Sequence, residues 1–328
     1  MGIKQVADYA GVSIATVSRV LNKSANVSEV KRKKVLDAVK TLGYRPNDLA
    51  RGLRNMPTST IGVIIPDITN PFFPSVIRGA GDILHEADIT PMIYNSDGNI
   101  DIEIEQIKTL ISKRVDGLLF MHSEESKRVI DLIESANMPV VFLDRVEDGR
   151  FASVKSDNYG GMKIIMDYAY SLGHRDYWYI GGESKVSSAR ERLQAVFDFE
   201  RDHSDISIKY ASTTFSYEGG LWAFELLKKK FSIPTIIICG NDLIAFGAID
   251  ACLKNKLRVP YDISVTGFDD GFLAAHYNPP LTTVAQSPYD LGATGAKLLL
   301  EFISGKRKRA VTRVLPIRLI IRQSTTQL

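Results

Sequence analysis

Cysteine is almost absent from this chain of 328 residues: only Cys239 and Cys252 occur. Two isolated thiols give neither a disulfide framework nor a zinc-ligand spacing. Cys239 lies in the apolar run TIIICG, which suits a buried thiol. The five histidines, His85, His122, His174, His203 and His276, are scattered with no metal-ligand spacing. No metal and no cofactor is therefore expected. Long apolar runs are missing too, and none approaches the length of a membrane span. The N-terminus lacks the continuous apolar segment of a secretory signal, which points to the cytoplasm. There is no G-x-x-x-x-G-K-[ST] phosphate loop and no G-x-S-x-G elbow. No catalytic residue is assigned, and an enzyme is not expected.

What is present is ordinary in amount and uneven in placement. Apolar residues make up 45% and charged residues 24%, which suits a folded protein of two or three domains. Residues 1–60 hold eleven Lys/Arg against four Asp/Glu, a net of +7, while the rest carries a net of −4. A basic head on a mildly acidic body suits an anionic partner for the head alone.

That head opens MGIKQVADYAGVSIATVSRVLN, which reads as two short helices joined at Gly11. Val6, Ala7 and Ala10 repeat at helical spacing before the turn, and Val17, Val20 and Leu21 after it. Ser13 is placed to cap the second helix. The plainer alternative is a helical hairpin; the sharper one is a helix-turn-helix, whose second helix enters the DNA major groove. A third helix is expected near 27–42, capped by Ser28, with Val30, Val35, Leu36, Val39 and Leu42 as its apolar stripe. Lys31, Arg32, Lys33 and Lys34 sit at its start, where they oppose the helix dipole. A phosphate backbone would explain them; a solvated charge run is the usual reading. Residues 48–55, DLARGLRN, form a helix too short to hold itself together in water, so a partner should order it.

From Ile61 onward, apolar runs such as IGVIIP, VDGLLFM, PVVFLD and TIIICGN alternate with helical patterns. Strands apolar on both faces mean parallel sheets covered by helices, and the length implies two lobes. Ligands of such sheets bind beyond the carboxyl ends of the strands. Asp67, Asn70, Asn95, Asp97, Asp144, Asn241, Asp242, Asp269 and Asp270 cluster there in the sequence.

At GVSIATVSRVLN, VSEVKRKKVLDAVKTLGYRPN, IGVIIPDITNPFF, SSARERLQAV, CGNDLIAFGAI, VPYDISVTGFDD and PPLTTVAQ the chain strongly resembles the lactose-repressor (LacI) family of bacterial transcription regulators. The resemblance runs over nearly the whole length. It implies an all-α helix-turn-helix DNA-binding head (1–46), a hinge helix and linker (47–60), and a two-lobed α/β core with parallel sheets (61–328) like that of periplasmic binding proteins. One lobe is expected at about 60–157 plus 287–313, the other at 158–286 plus 314–328. The three crossings between them fall near 156–158, 285–287 and 313–315.

The resemblance also implies roles. Ile14 and Ala15 face thymine methyls, Arg19 forks to guanine, and Ser13, Thr16, Ser18 and Asn22 hold phosphates. Asn47, Ala50 and Leu53 belong to the hinge segment, and Leu53 wedges into a minor-groove base step of a near-palindromic double-stranded DNA operator. Phe72, Phe73, Asp144, Arg190, Phe215, Asn241, Asp269 and Gln286 are the expected effector contacts. One of the two adjacent phenylalanines should reach the ligand, Arg190 should grip it, and Arg192 should face elsewhere. A sugar-like effector is favoured, switching the DNA affinity of a homodimer that regulates carbohydrate genes. A purine stacked between the aromatics stays open. A phosphocarrier-protein partner is disfavoured, because Lys297 stands where an arginine is expected. A cytoplasmic solute-binding protein is a further alternative that the basic head opposes.

Overall fold

The computed structural model describes residues 2–21, 27–44, 58–122, 124–144 and 149–328. The chain divides into two compact units, 1–58 and 59–328. Asn22, Asn47, Ala50 and Leu53, with the hinge segment around them, lie outside the described residues.

The first unit has three helices, α1 (Ile3–Ala10), α2 (Ile14–Leu21) and α3 (Glu29–Leu42). Gly11 ends α1 with φ 63°, a left-handed conformation that costs glycine little, and its N–H donates back to Ala7 and Asp8. Ser13 Oγ accepts the Thr16 N–H at 3.2 Å, the cap its position predicts. Val6, Ala7, Ala10, Val17, Val20, Val35 and Ala38 form the core. The expected stripe on α3 is partly wrong. Val30 and Leu36 are 69% and 50% exposed, because the packed face runs through Val35, Ala38, Val39 and Leu42 instead. Ser28 stands at the N-cap of α3 without a side-chain cap bond.

The second unit contains two six-stranded sheets. The first lobe is built from β1 (Thr60–Ile65), α4 (Phe72–Glu86), β2 (Thr90–Asn95), α5 (Ile100–Ser112), β3 (Gly117–Phe120), α6 (Lys127–Ala136), β4 (Val140–Leu143) and β5 (Ala152–Ser156). The second follows as α7 (Asn158–Ser171), β6 (Asp176–Gly182), α8 (Ser187–Asp202), β7 (Ser207–Thr213), α9 (Tyr217–Lys228), β8 (Ile236–Cys239), α10 (Asp242–Lys254), β9 (Ser264–Asp269) and β10 (Thr282–Ala285). The chain then returns to the first lobe as α11 (Pro288–Ile303) and β11 (Thr312–Leu315), and ends in the second with β12 (Arg318–Ile320).

Strand order is β11-β5-β4-β3-β1-β2 in one sheet and β12-β10-β9-β8-β6-β7 in the other. All pairings are parallel except β10 with β12. The central strands are buried on both faces, as their unbroken apolar runs require. Helices α4 and α11 cover one face of the first sheet, α5 and α6 the other. Helices α9 and α10 cover one face of the second sheet, α7 and α8 the other. Both cysteines are buried, and burial pushes the Cys252 thiol up to about 12.

The crossings fall at Asp157, at 286–287 and at 316–317. The third is later than expected: Arg313 and Leu315 still pair with Val154 and Ser156 in the first sheet. Residues 314–315 therefore belong to the first lobe. Because each parallel strand delivers its carboxyl end to the same side, the strand-end loops of both lobes meet in the cleft between them.

Candidate functional site

The first unit presents the outer surface of α2. Ile14, Ala15 and Arg19 are exposed, with Ile14 at 43%. Thr16 and Ser18 are half-buried. Ser13 Oγ and Thr16 Oγ1 are linked at 2.9 Å, so this pair is oriented before any ligand arrives. Lys31, Lys33 and Lys34 are exposed on α3, whereas Arg32 pairs with Glu29 at 3.5 Å.

In the second unit the strand-end residues line an inner cavity of about 30 Å³ between the lobes. From the first lobe come Asn70, Phe72, Phe73 and Asp144; from the second come Ser188, Arg192, Phe215, Asn241, Asp269 and Gln286. Both phenylalanines reach it, not one; their rings meet edge to face at 5.4 Å, which fixes each against the other. Phe215 approaches from the opposite lobe. Gly182 makes room for it, since a Cβ there would stand 2.2 Å from the ring.

The expected arginine is corrected. Arg190 points away from the cavity, donates to the Ser184 carbonyl at 3.0 Å and pairs with Glu125 of the other lobe. Arg192 lines the cavity instead and is 3% exposed. The reason is helical phase. The inward face of α8 runs through Ser188, Arg192, Ala195, Val196 and Phe199, and residue 190 lies off it. The Arg192 guanidinium lies 3.8 Å over the Phe268 ring and donates to the Gly240 carbonyl at 2.5 Å. Two further donors fork onto Oδ1 of Asn158.

Asn158, Ser188 and Asn70 are site residues that sequence reasoning did not assign as contacts. Asn158 follows a crossing that was legible, and Asn70 was one of the strand-end amides. Nothing in the sequence distinguishes Ser188 from its neighbour Ser187.

The carboxylates have separate environments. Asp269 accepts from Gln286 Nε2 at 2.6 Å, and burial pushes its pKa up to about 7 against the pull of Arg192. It holds φ 129°, a conformation that L residues rarely adopt, and Asp144 holds φ 63°. Backbone outliers of this kind cluster at ligand sites. Gln286 Oε1 is buried without a hydrogen-bond partner and is available to a donor in the cavity. Asn241 uses Oδ1 to cap α10 through Ile244 N–H at 2.9 Å, which leaves its amide N–H groups toward the cavity it lines. Asp242 is held by Thr283 Oγ1 at 2.6 Å and Gly271 N–H at 2.8 Å, and burial pushes its pKa well up. Asp270 pairs with Arg322 at 2.6 Å. These last two are structural.

An outer cavity of about 510 Å³ shares Asn70, Phe73 and Phe215 with the inner one. Among the described residues no group of histidines, cysteines and carboxylates could hold a metal ion. No described helix is long and apolar enough to cross a membrane.

A three-helix head of helix-turn-helix form and a two-lobed α/β body with a polar cleft define a ligand-responsive DNA-binding regulator. The comparisons agree. Residues 2–47 match the model of bacterial regulatory proteins of the lacI family, and 166–325 match a periplasmic binding protein-like domain. The chain is 40% identical to the HTH-type transcriptional regulator RegA of Clostridium saccharobutylicum, covering 98% of each. The solved lac repressor dimer bound to operator and the anti-inducer ONPF is 27% identical, with a TM-score of 0.89 and 99% of each chain covered. A LacI family regulator from Enterococcus faecium, solved with bound ribose, is 30% identical with a TM-score of 0.75. That match covers 82% of this chain and 99% of the other. This chain belongs to the LacI family of bacterial transcriptional regulators.

Proposed function

We propose that this regulator is a repressor whose effector is a sugar, with ribose the first candidate. The observation that carries the reading is the cavity between the lobes. It sets the faces of Phe72, Phe73 and Phe215 against two carboxylates, three amides and an arginine, contributed by both lobes. Aromatic rings suit the C–H faces of a sugar ring, and Asp144, Asp269, Asn70, Asn241, Gln286 and Arg192 suit its hydroxyls. The ribose held by the Enterococcus regulator supports the same class. Because the donors come from both lobes, a bound sugar favours one lobe arrangement and so biases the head.

On DNA, the α2 surface of Ile14, Ala15 and Arg19 reads base edges while Ser13, Thr16 and Ser18 hold phosphates. Two copies of the chain face a near-palindromic operator, whose symmetry mirrors the dimer's. Asn22, Asn47, Ala50 and the wedge role of Leu53 rest on the family resemblance alone.

Isothermal titration of the full chain with D-ribose, other pentoses, hexoses and purine bases tests the effector class. Saturable binding of any of these sugars supports it. Binding of a purine base with no response to any sugar overturns it.

A further inference from the structure

The charges around the cleft are unbalanced in a way that restricts which sugars enter. The inner cavity is lined by Asp144 and Asp269 and one cation, Arg192. The outer cavity adds Asp67, Asp97 and Glu183 and one cation, Lys185. Neither described cation is idle. Arg192 donates to Asn158 and to the Gly240 carbonyl. Lys185 lies 2.9 Å from Glu183 and 3.9 Å from Glu124 of the opposite lobe.

Two of the outer carboxylates, Asp67 and Asp97, are fixed in place. Asp67 Oδ1 accepts from Thr69 N–H at 2.8 Å and from its hydroxyl at 2.6 Å. Asp97 Oδ1 accepts from Asn95 Nδ2 at 2.5 Å, and Asn95 Oδ1 in turn accepts from Ile68 N–H at 2.8 Å. The two loops therefore hold each other, and neither carboxylate can swing clear without breaking these bonds.

Helix N-termini would ordinarily favour an anion in such a cleft. Here three of them already carry side-chain acceptors. Asn70 Oδ1 accepts from Phe72 N–H at 3.1 Å at the start of α4. Ser216 Oγ accepts from Gly219 N–H at 3.0 Å at the start of α9, and Asn241 caps α10. The start of α8 is the exception: Val186, which lines the outer cavity, gives it no side-chain cap, so there the carboxylates of Asp67, Asp97 and Glu183 around the same cavity are what opposes a phosphate.

We propose that the cleft admits free sugars and excludes their phosphate esters, through the carboxylates of Asp67, Asp97 and Glu183 at the outer cavity. The inference rests on the sugar reading above. It adds that the regulator senses an unphosphorylated sugar, and that a phosphorylated form of the same sugar does not act as effector.

The test is calorimetric titration of the full chain with two matched pairs, D-ribose with D-ribose 5-phosphate and D-glucose with D-glucose 6-phosphate. The double variant Asp97→Asn/Glu183→Gln is titrated alongside; both positions are at least partly exposed, so folding is little at risk. The expected result is a free sugar bound about 100-fold more tightly than its ester at low salt. In the double variant that ratio should shrink at least about fivefold, because two repelling charges are gone. An ester bound as tightly as its parent sugar overturns the inference while the sugar reading stands. So does a ratio that the double variant leaves unchanged. If neither member of either pair binds, both readings fall.

Discussion

Arg192 grips Asn158 through two donors on one acceptor, Nε at 2.9 Å and Nη2 at 2.8 Å from Oδ1. Asn158 is the first residue of α7, directly after the crossing at Asp157. The arginine that faces the inner cavity is thus tied to the segment at which the chain crosses between the lobes. Its planar fork and its stacking on Phe268 fix it before a ligand arrives, so little ordering is left to occur on binding.

Arg192→Lys should therefore weaken effector binding by about 10- to 100-fold, since an ammonium can neither fork nor stack. Arg190→Lys, two residues away on the outer face, should change it less than about threefold, because an exposed ion pair contributes little. Titration calorimetry of the two variants separates them. Equal losses, or a larger loss at Arg190, would place the ligand grip on the wrong arginine.

Gly182 gives Phe215 its place. A methyl at this position meets the ring at 2.2 Å, so Gly182→Ala must push Phe215 into the cavity or out of it. Effector affinity should fall at least about tenfold, the loss of roughly one well-placed aromatic contact. The circular dichroism spectrum should stay native. Unchanged affinity would mean that Phe215 does not contact the effector.

Asp269 gives the site a pH dependence. Burial pushes its pKa up to about 7. A sugar hydroxyl donating to the carboxylate stabilises the ionised form, so affinity should rise as pH rises through 7 and level off above about 8. The free protein behaves oppositely: between pH ~4 and ~7 the native state holds a proton that the unfolded chain has lost, so this group's contribution to stability falls as pH rises. Binding should be about tenfold weaker at pH 6 than at pH 8, and Asp269→Asn should flatten the profile. A profile unchanged by that substitution would assign the dependence elsewhere.

The first lobe depends on two glycines where α4 and α11 touch. A Cβ at Gly292 would lie 1.9 Å from the Val76 carbonyl oxygen, and one at Gly79 would lie 1.9 Å from the Tyr289 carbonyl oxygen. The obstacle is backbone in both cases, so the helices must separate. Gly292→Ala should cost about 1–3 kcal/mol or more, read as a lower urea midpoint of the first unfolding transition. A midpoint within error of the parent protein would show that the helices part freely.

Much of this was legible because it rests on local periodicity. The turn at Gly11, the cap at Ser13 and the apolar central strands follow from spacing alone. Strands β5, β7 and β10 are hard to see in the sequence because polar residues interrupt their apolar pattern. In TTVA, Thr282 and Thr283 are buried with their hydroxyls engaged by Thr325 and Asp242, which arrive from distant parts of the chain. The choice between Arg190 and Arg192 is hidden in the sequence for a similar reason. Helix α8 begins after Val186 with no side-chain cap to mark its phase, and a two-residue shift turns a side chain to the opposite face. Val30 and Leu36 fit a core stripe in the sequence because apolar spacing on α3 admits two stripes, and only the partner helices choose between them.

The central claim is that a sugar held by Arg192 and Asp269 controls a DNA-binding head in another part of the chain. The measurement that tests it most directly is operator affinity, read by fluorescence anisotropy at fixed salt with and without saturating D-ribose, for the native chain and for Arg192→Ala. A coupling of about 1–3 kcal/mol predicts a 5- to 150-fold change in the native chain and none in the variant. An operator affinity that ribose leaves unchanged in the native chain, or changes equally in the variant, would contradict it.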